Sequence, residues 1–177
     1  MDKIEILTVN GVPYRVLSLL GRGKGGYSYL VEGVEHNCGE KFVLKQIHHE
    51  PCDYYQFAED KLGAELRDYE TLCSVGLRMP KLIEFDRENE RILKQFIDGE
   101  TVASLVERGE DVEEYVSQMR QACTLLYARG LNVDYYPTNF VASGGVIYYV
   151  DYECNAYMSE WDFENWGIKY WRKNGQA

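Results

Sequence analysis

One polar stretch, residues 131–153, most constrains what this chain can fold into. Its sequence, LNVDYYPTNFVASGGVIYYVDYE, predicts a short loop, a two-stranded hairpin and a second short loop. The first loop holds Asp134 and Asn139, and the second strand ends at Asp151. Because loops at one end of a hairpin lie side by side, we expect these three side chains to converge. Two carboxylates and an amide oxygen suit Mg²⁺, but Asp and Asn are also frequent turn formers.

A glycine-rich stretch near the N-terminus lies between two predicted strands. It reads GRGKGGYS over residues 21–28, after a strand pattern at 14–20 and before one at 29–31. This order predicts a β-hairpin, and it differs from the strand, loop and helix of a P-loop or Rossmann turn. Glycines at the tip of such a hairpin allow backbone N–H groups to approach phosphates closely. A flexible hairpin tip with no ligand is the alternative interpretation.

The remaining periodicities predict an α+β chain in which strands come first. They indicate further strands at 3–9, 41–47, 81–86 and 91–97, and helices at 58–75, 100–108 and 112–129. We therefore expect an antiparallel sheet of five strands with one helix, followed by a mainly helical part that carries the polar hairpin. The aromatic residues of the last stretch are expected to close the core of that part: Trp161, Trp166, Tyr170 and Trp171.

Two charged residues fall at predicted inward positions. Lys45 shares a strand face with Val43 and Ile47, which directs it inward or along the wall of a cleft. A surface lysine with a buried stem is the alternative. Glu65 lies on the apolar stripe of the first helix, four residues before Tyr69. Because an inward charge is costly without a partner, we expect Lys45 and Glu65 to pair.

Composition restricts the class of partner. With 19 basic and 29 acidic residues the net charge is −10, and no basic stripe is present. Nucleic acids and anionic membranes are therefore not expected as direct partners. The five cysteines are widely spread with no C-x-x-C pair, which indicates reduced thiols in a cytosolic protein. No apolar run resembles a signal peptide or a membrane span, so we expect a cytoplasmic location.

The order of these features resembles the protein-kinase-like superfamily, and the resemblance covers nearly the whole chain. The matching segments are GRGKGGYS for the glycine-rich loop, FVLK ending at Lys45 for the strand lysine, ELRDYETL from Glu65 for the helix glutamate, ILKQFIDGETV for the hinge, NVDYYPTN for the catalytic loop and VDYE for the D-F-G position. D-Y-E in place of D-F-G is more similar to the aminoglycoside and choline kinases or to RIO-like atypical kinases. The chain thus resembles a minimal, bacterial-type serine/threonine kinase-like protein.

The resemblance implies a two-lobed fold, with an N-lobe at 1–97 and a reduced C-lobe at 98–177. It also implies ATP and Mg²⁺ as cofactors, with the roles of phosphoryl transfer. Asp134 would accept or orient the proton of the attacking hydroxyl, and Lys45 would hold the phosphates while Glu65 orients it. Asn139 and Asp151 would bind Mg²⁺. The implied nucleotide-binding residues are Gly21, Gly23, Gly25, Gly26, Ser28, Lys45, Lys94, Gln95, Phe96 and Ile97.

The chain also departs from the family pattern. Asn132-Val133 stand where the catalytic loop has His-Arg, and Tyr136 replaces the loop lysine, which removes a cation from the transferred phosphate. Only 26 residues (177 − 151) follow Asp151, too few for an A-P-E motif and a full peptide-binding lobe. Three functions follow: an active kinase for an unknown hydroxyl of a protein or small molecule, a weak nucleotide-binding module that regulates a partner protein, and a kinase-like ATPase within a complex.

Overall fold

The computed structural model describes residues 5–35, 38–51 and 60–172. The chain divides into two compact units, one formed by residues 1–64 and 80–96, the other by 65–79 and 97–177. The predicted strand start at residue 3, the predicted helix start at residue 58 and Cys52 lie outside the described residues. Among the helices of those ranges, none is long and apolar enough to cross a membrane.

The first unit is built on an antiparallel sheet. Its strands are β1 (Ile6–Val9), β2 (Val12–Arg22), β3 (Gly26–Gly33), β4 (Lys41–Ile47), β5 (Leu82–Asp86) and β6 (Arg91–Gln95). They pair in the order β1-β2-β3-β4-β6-β5, each with its neighbours antiparallel. The expected count of five strands is therefore wrong, since this sheet has six. Asn10 and Gly11 adopt positive φ of 48° and 82°, and this tight turn folds β1 back onto β2.

One face of this sheet forms the core of the first unit. The buried side chains alternate along the strands and come together from five of them: Val9, Tyr14, Val31, Phe42, Leu44 and Leu93. The rings of Tyr14 and Phe42 meet edge to face with centroids 5.8 Å apart. Lys45 lies on the opposite face of β4 from Phe42 and Leu44, as the strand alternation requires.

A buried carboxylate ties the two edge strands of the sheet together. Asp86, only 2% exposed, ends β5. Its Oδ2 accepts a hydrogen bond from the backbone N of Asn10 at 2.8 Å, and its Oδ1 accepts one from the backbone N of Asn89 at 2.9 Å. Arg91 also donates to the backbone oxygen of Thr8 at 2.7 Å. Because β1 and β5 are the two edges, these bonds hold the sheet in a curled shape.

The curled sheet is expected to be sensitive to acid through Asp86. The hydrogen bonds from Asn89, and then that from Asn10, lower the pKa of Asp86 below its ordinary value of 3.8. A carboxyl with a lowered folded pKa adds stability that is fully present above the unfolded pKa and is lost as pH falls through the folded value. Asp86→Asn should reduce the free energy of unfolding at pH 7 by about 1–3 kcal/mol, because one buried N–H loses its acceptor.

Urea unfolding at pH 7 and at pH 3 measures this effect. Asp86→Asn should narrow the stability difference between the two pH values, since the group that titrates has been removed. Glu88→Gln is the matched control, because Glu88 lies in the same turn but is exposed. Equal acid sensitivity in wild type and Asp86→Asn would contradict the role assigned to this carboxylate.

The second unit combines helices with two small sheets. Helix α1 (Lys61–Val75) lies in this unit from Glu65 onward. The other elements are β7 (Glu100–Thr101), α2 (Val102–Arg108), α3 (Glu113–Tyr127), β8 (Leu131–Val133), β9 (Phe140–Ser143), β10 (Val146–Tyr149) and β11 (Cys154–Ala156). The strands pair as β10-β9-β7 and β11-β8. Short 3₁₀ turns lie at Pro137–Asn139, Ser159–Trp161 and Ile168–Tyr170, and a π-helical turn at Phe163–Gly167.

The helices begin and end where capping residues allow. Thr101 caps α2, with its hydroxyl accepting from the backbone N of Ser104 at 3.2 Å, and Gly109 ends it with φ of 77°. The helix predicted from residue 100 therefore starts at 102, because Glu100 and Thr101 pair with β9 instead. Helix α3 buries one apolar stripe, as its 3–4 spacing predicts: Val116, Met119, Cys123 and Leu126.

The last aromatic residues close this core as predicted, with one exception. Trp171 and Phe163 are fully buried, and Trp166 and Tyr170 pack against the same cluster. Trp161 is 53% exposed, so its predicted place in the core is wrong. It lies in a 3₁₀ turn, and its ring centroid is 5.8 Å from that of Trp166. The described cysteines are free thiols.

Candidate functional site

The polar hairpin brings together the three residues predicted to converge. Asp134 directly follows β8, Asn139 directly precedes β9, and Asp151 follows β10 after one intervening residue. In the β9–β10 pair Tyr149 stands opposite Phe140, so the Asn139 end and the Asp151 end of the hairpin coincide. The backbone N of Val150 donates to the backbone oxygen of Asn139 at 2.9 Å, which joins the two loops.

The loop at residues 134–139, which we name the Asp134 loop, is held by its own hydrogen bonds. The Oδ1 of Asp134 accepts from the backbone N of Tyr136 at 3.0 Å, an Asx-type turn. The Nδ2 of Asn139 donates to the backbone oxygen of Asp134 at 3.3 Å. Within the described chain, neither Asp134 Oδ2 nor the side-chain oxygen of Asn139 takes part in a hydrogen bond. Both oxygens are thus available to a ligand.

A buried tyrosine, Tyr149, lies at the end of the hairpin from which the two loops emerge. The hydroxyl of Tyr149 donates to the backbone oxygen of Glu153 at 2.8 Å. Burial, and after it the negative charges of Asp151, Glu153 and Asp134, raise the pKa of Tyr149 well above its ordinary value. One phenol therefore senses three carboxylates from both loops. This acidic pole, formed by Asp134, Asp151 and Glu153, favours the binding of a cation.

The donor set is small for a metal held by protein alone. Among residues 5–35, 38–51 and 60–172, no group of three or more His, Cys, Asp or Glu has an arrangement that could hold a metal ion. A carboxylate and an amide oxygen would leave most positions around Mg²⁺ to water and to ligand oxygens. That is the usual way in which Mg²⁺ is bound beside phosphates. The residues present fit a magnesium ion that arrives with a phosphorylated ligand.

Helix α1 packs against the residue that follows Asp151. Tyr152 is fully buried, and its ring centroid lies 4.5 Å from that of Tyr69. Burial is the main cause that raises the pKa of Tyr152, and the negative charges of Tyr69 and Glu65 contribute. The backbone N of Cys154 donates to Asp68 at 3.1 Å. Sequence reasoning missed Tyr149 and Tyr152, because no motif marks a tyrosine that supports a loop from below.

In the first unit, the glycine-rich hairpin lies beside Lys45. Ser28 on β3 stands opposite Lys45 on β4, and Lys45 stands opposite Ile92 on β6, so these three side chains share one face of the sheet. A Cβ atom added to Gly25 would lie 3.8 Å from the Nζ of Lys45. The lysine ammonium therefore sits next to the turn at residues 23–25, which we name the glycine turn.

The glycines of this hairpin differ in what the fold requires of them. A Cβ atom at Gly26 would lie 2.5 Å from the backbone oxygen of Gln46, so strand packing excludes a side chain there. Gly21 and Gly23 have open space around them, and neither has a positive φ. The glycine turn is closed by a hydrogen bond from Gly23 N to Gly26 O at 2.9 Å. The fold therefore needs Gly26 but does not need Gly21 or Gly23.

Two alanine substitutions separate these cases. Gly26→Ala should lower the free energy of unfolding by about 1–3 kcal/mol, because the added methyl group meets the backbone at Gln46. Gly23→Ala should change it by less than about 0.5 kcal/mol, as for other exposed sites without special geometry. Urea unfolding of both variants beside wild type measures the difference. Equal losses in the two variants would show that the turn has a packing requirement beyond the contact at Gln46.

Side chains that the sequence did not single out brace the glycine turn. The Nε2 of His48 lies 3.0 Å from the backbone oxygen of Gly23, and the backbone N of His48 donates to Gly25 at 3.4 Å. Glu50 accepts hydrogen bonds from Tyr27 and Arg22, each at 2.5 Å. The bond from Tyr27, followed by that from Arg22, lowers the pKa of Glu50. These contacts follow β4 in sequence, where no motif indicates them.

The nucleotide-binding residues implied for the hinge, Lys94 to Ile97, lie at the end of β6 and just beyond it. Lys94 is 4% exposed and stands opposite Val43 in the sheet. Gln95 is exposed, and its side-chain oxygen accepts from the backbone N of Lys81 at 3.3 Å. Phe96 is half-buried and belongs to the first unit, and Ile97 is buried and belongs to the second. Their contact with a nucleotide stays a prediction, as does the pairing of Lys45 with Glu65.

Comparison with known proteins finds one informative similarity. The chain is similar to part of a protein kinase. It is 28% identical over 102 residues to the serine/threonine-protein kinase PknA of Nostoc sp. (strain PCC 7120), an alignment that covers 54% of this chain and 18% of PknA. No family model matches the chain. The chain spans less than a fifth of the length of this relative, and the similarity supports a distant kinase-like relationship and no finer one.

Proposed function

We propose that this protein is a kinase-like phosphotransferase that uses ATP and Mg²⁺ to phosphorylate a hydroxyl group of a protein or a small molecule. The observation that carries the proposal is the convergence of Asp134, Asn139 and Asp151 at one end of the β9–β10 hairpin. The partial similarity to a protein kinase supports the same class of reaction. In such reactions positioning and neutralisation of charge provide most of the catalysis.

The second unit would supply the metal ligands and the base. Asn139 offers its side-chain oxygen and Asp151 its carboxylate to Mg²⁺, which would neutralise charge on the phosphates. Asp134 is exposed and has Oδ2 available, so it would accept or orient the proton of the attacking hydroxyl. Its Oδ1 bond to the backbone N of Tyr136, at 3.0 Å, holds the carboxylate in one orientation.

The first unit would supply the contacts to the phosphates. Lys45 places its ammonium beside the glycine turn, within reach of a phosphate that rests there. Gly21 and Gly23 are not required by packing or by backbone conformation, and glycine at such positions suits close approach of a ligand to the backbone. Gly23→Ala would then weaken ATP binding while leaving the fold stable.

The nearest branch of the superfamily would be that of the aminoglycoside, choline and RIO-like kinases. This part of the proposal depends on the D-Y-E sequence at 151–153. Tyr152 is buried against Tyr69, so the aromatic ring after the metal-binding aspartate is used for packing. Surfaces beyond the phosphate site would select the acceptor within this branch.

A nucleotide-binding module with little turnover is the second candidate, and one observation favours it. Tyr136 occupies the position at which the resembling catalytic loop has a lysine. Its side chain is 42% exposed and packs against Tyr170, with ring centroids 5.0 Å apart. No cation from this position would then neutralise the transferred phosphate. Such a module would bind nucleotide in order to regulate a partner protein, or would act as a kinase-like ATPase within a complex.

Thermal unfolding with ATP, with and without Mg²⁺, tests the proposal first. At about 100 times its dissociation constant a ligand stabilises the folded state by roughly 2.7 kcal/mol, which raises Tm by several degrees. We expect a shift that requires Mg²⁺, together with transfer of the terminal phosphate of radiolabelled ATP. A Mg²⁺-dependent shift without turnover would favour the second candidate. Absence of any shift would reject nucleotide binding by this chain.

A further inference from the structure

We infer that the C-terminal segment, residues 158–171, positions the candidate base by holding the residues on both sides of Asp134. This inference rests on the proposed function of Asp134, and it goes further by assigning a role to residues that no kinase-like motif contains. The central contact is a buried hydrogen bond from the indole Nε1 of Trp171 to the backbone oxygen of Tyr135, 2.8 Å long. Tyr135 is the residue directly after Asp134.

The residues that follow Asp134 are enclosed by this segment. Tyr135 is fully buried, with its ring centroid 5.7 Å from that of Phe163. A Cβ atom added to Gly167 would lie 2.6 Å from the Cβ of Tyr135, so the π-helical turn presses directly on the loop. The ring of Tyr136, the next residue, makes an edge-to-face contact with the ring of Tyr170, with centroids 5.0 Å apart. The backbone after Asp134 therefore has little freedom to move.

The C-terminal segment also holds the residues before Asp134. Asn132 is buried, and its Nδ2 donates to the backbone oxygen of Met158 at 2.9 Å. Its side-chain oxygen accepts from the hydroxyl of Tyr135 at 3.2 Å, which links the two sides of Asp134. Asn132 stands where the resembling catalytic loop has histidine. Its buried amide thus has a structural partner in the C-terminal segment.

The segment is itself rigid enough to act as a support. Asp162 is buried and organises it, since its Oδ1 accepts from the backbone N of Asn165 at 2.8 Å and its Oδ2 from the hydroxyl of Tyr157 at 3.1 Å. The ring of Trp171 packs between Phe140 and Phe163, with centroids 5.0 Å and 5.3 Å away.

Trp171 is in this view a positioning residue, because it does not reach the reacting atoms but acts through the Tyr135 carbonyl. Trp171→Phe retains an aromatic ring against Phe140 and Phe163 and removes the indole N–H. The buried carbonyl of Tyr135 is then left without its donor, which favours opening of the loop. Trp166→Phe is the matched control. Trp166 belongs to the same aromatic cluster, and its indole makes no hydrogen bond within the described residues.

Two measurements test the inference. Native-state hydrogen exchange should show the backbone amides of Tyr136 and Asn139 exchanging about ten-fold faster in Trp171→Phe than in Trp166→Phe. Single-turnover phosphate transfer or release from Mg·ATP should also slow about ten-fold, while the dissociation constant of Mg·ATP stays within about two-fold of the wild-type value. A loss of binding equal to the loss of rate, or equal behaviour of the two variants, would overturn the inference.

The exchange measurement separates this inference from the proposed function. If the wild-type protein shows no turnover, the second candidate function is favoured, and the loop amides still decide whether Trp171 holds the Asp134 loop. If Trp171→Phe does not fold, hydrogen exchange in the wild-type protein tests whether Trp171 holds the Asp134 loop. The indole N–H of Trp171 and the two loop amides should then open with the same dependence on urea. Loop amides that open well before the indole N–H would contradict the inference.

Discussion

Asp151→Asn is expected to abolish the part of the ATP-induced thermal shift that depends on Mg²⁺. The substitution removes a negative charge but keeps an oxygen that can accept from the backbone N of Tyr152, now bonded to Oδ1 at 2.9 Å. Local structure should therefore survive while the metal loses its charged ligand. Differential scanning fluorimetry at saturating ATP measures the shift, which should fall from several degrees to the value seen without Mg²⁺.

Glu153→Gln is the control for this experiment. Glu153 contributes to the same acidic pole, since its charge also acts on the Tyr149 hydroxyl. If Asp151 is a metal ligand, Glu153→Gln should retain most of the Mg²⁺-dependent shift. Equal losses in both variants would show that the negative potential of the whole pole attracts the ion and that Asp151 has no special place in it.

Asp134→Asn is expected to leave Mg·ATP binding intact and to reduce phosphate transfer by about 10²–10⁴-fold, the usual contribution of a general base. Asparagine preserves the turn, because its side-chain oxygen can accept from the backbone N of Tyr136 as Oδ1 does now. What is lost is the basic second oxygen. Transfer from radiolabelled ATP and the Mg·ATP thermal shift, measured on the same preparation, separate chemistry from binding.

Asp111→Asn provides the matched control for Asp134→Asn. Asp111 is also exposed, and its Oδ1 also accepts from a backbone N two residues later, that of Glu113, at 2.9 Å. The control should transfer phosphate at the wild-type rate. Unchanged turnover in Asp134→Asn would rule out Asp134 as the base, whereas loss of both binding and turnover would place Asp134 among the nucleotide-binding residues.

The parts of the fold that could be predicted from sequence are those set by local backbone chemistry. Gly76, with φ of 85°, follows the end of α1 as expected, and Asn10-Gly11 makes the predicted tight turn. The strand alternation around Lys45 and the apolar stripe of α3 follow from the geometry of each element alone. The proximity of Asp134, Asn139 and Asp151 could be predicted for the same reason, since one hairpin determines it.

The supports of the site could not be predicted, because they depend on contacts between distant parts of the chain. The bond from Trp171 to Tyr135 joins residues 36 positions apart, and periodicity carries no information about such a pair. The sequence pattern indicated all six strands of the first sheet, and the expected total of five counted one too few. Trp161 was expected to be buried because of its residue type alone. It lies in a 3₁₀ turn that leaves its side chain exposed to solvent.

The bonds made by Asp86 have a further consequence for the association of this protein with itself. A sheet ends in two strands whose outer backbone groups can pair with another chain, and proteins avoid long flat edges for that reason. Here one carboxylate pins the turn after β1 and the turn after β5 together, so both outer strands are bent away from a flat geometry. Protonation of Asp86 weakens the hydrogen bonds that hold both turns. Acid that breaks this link therefore also frees strand edges that can pair with another chain.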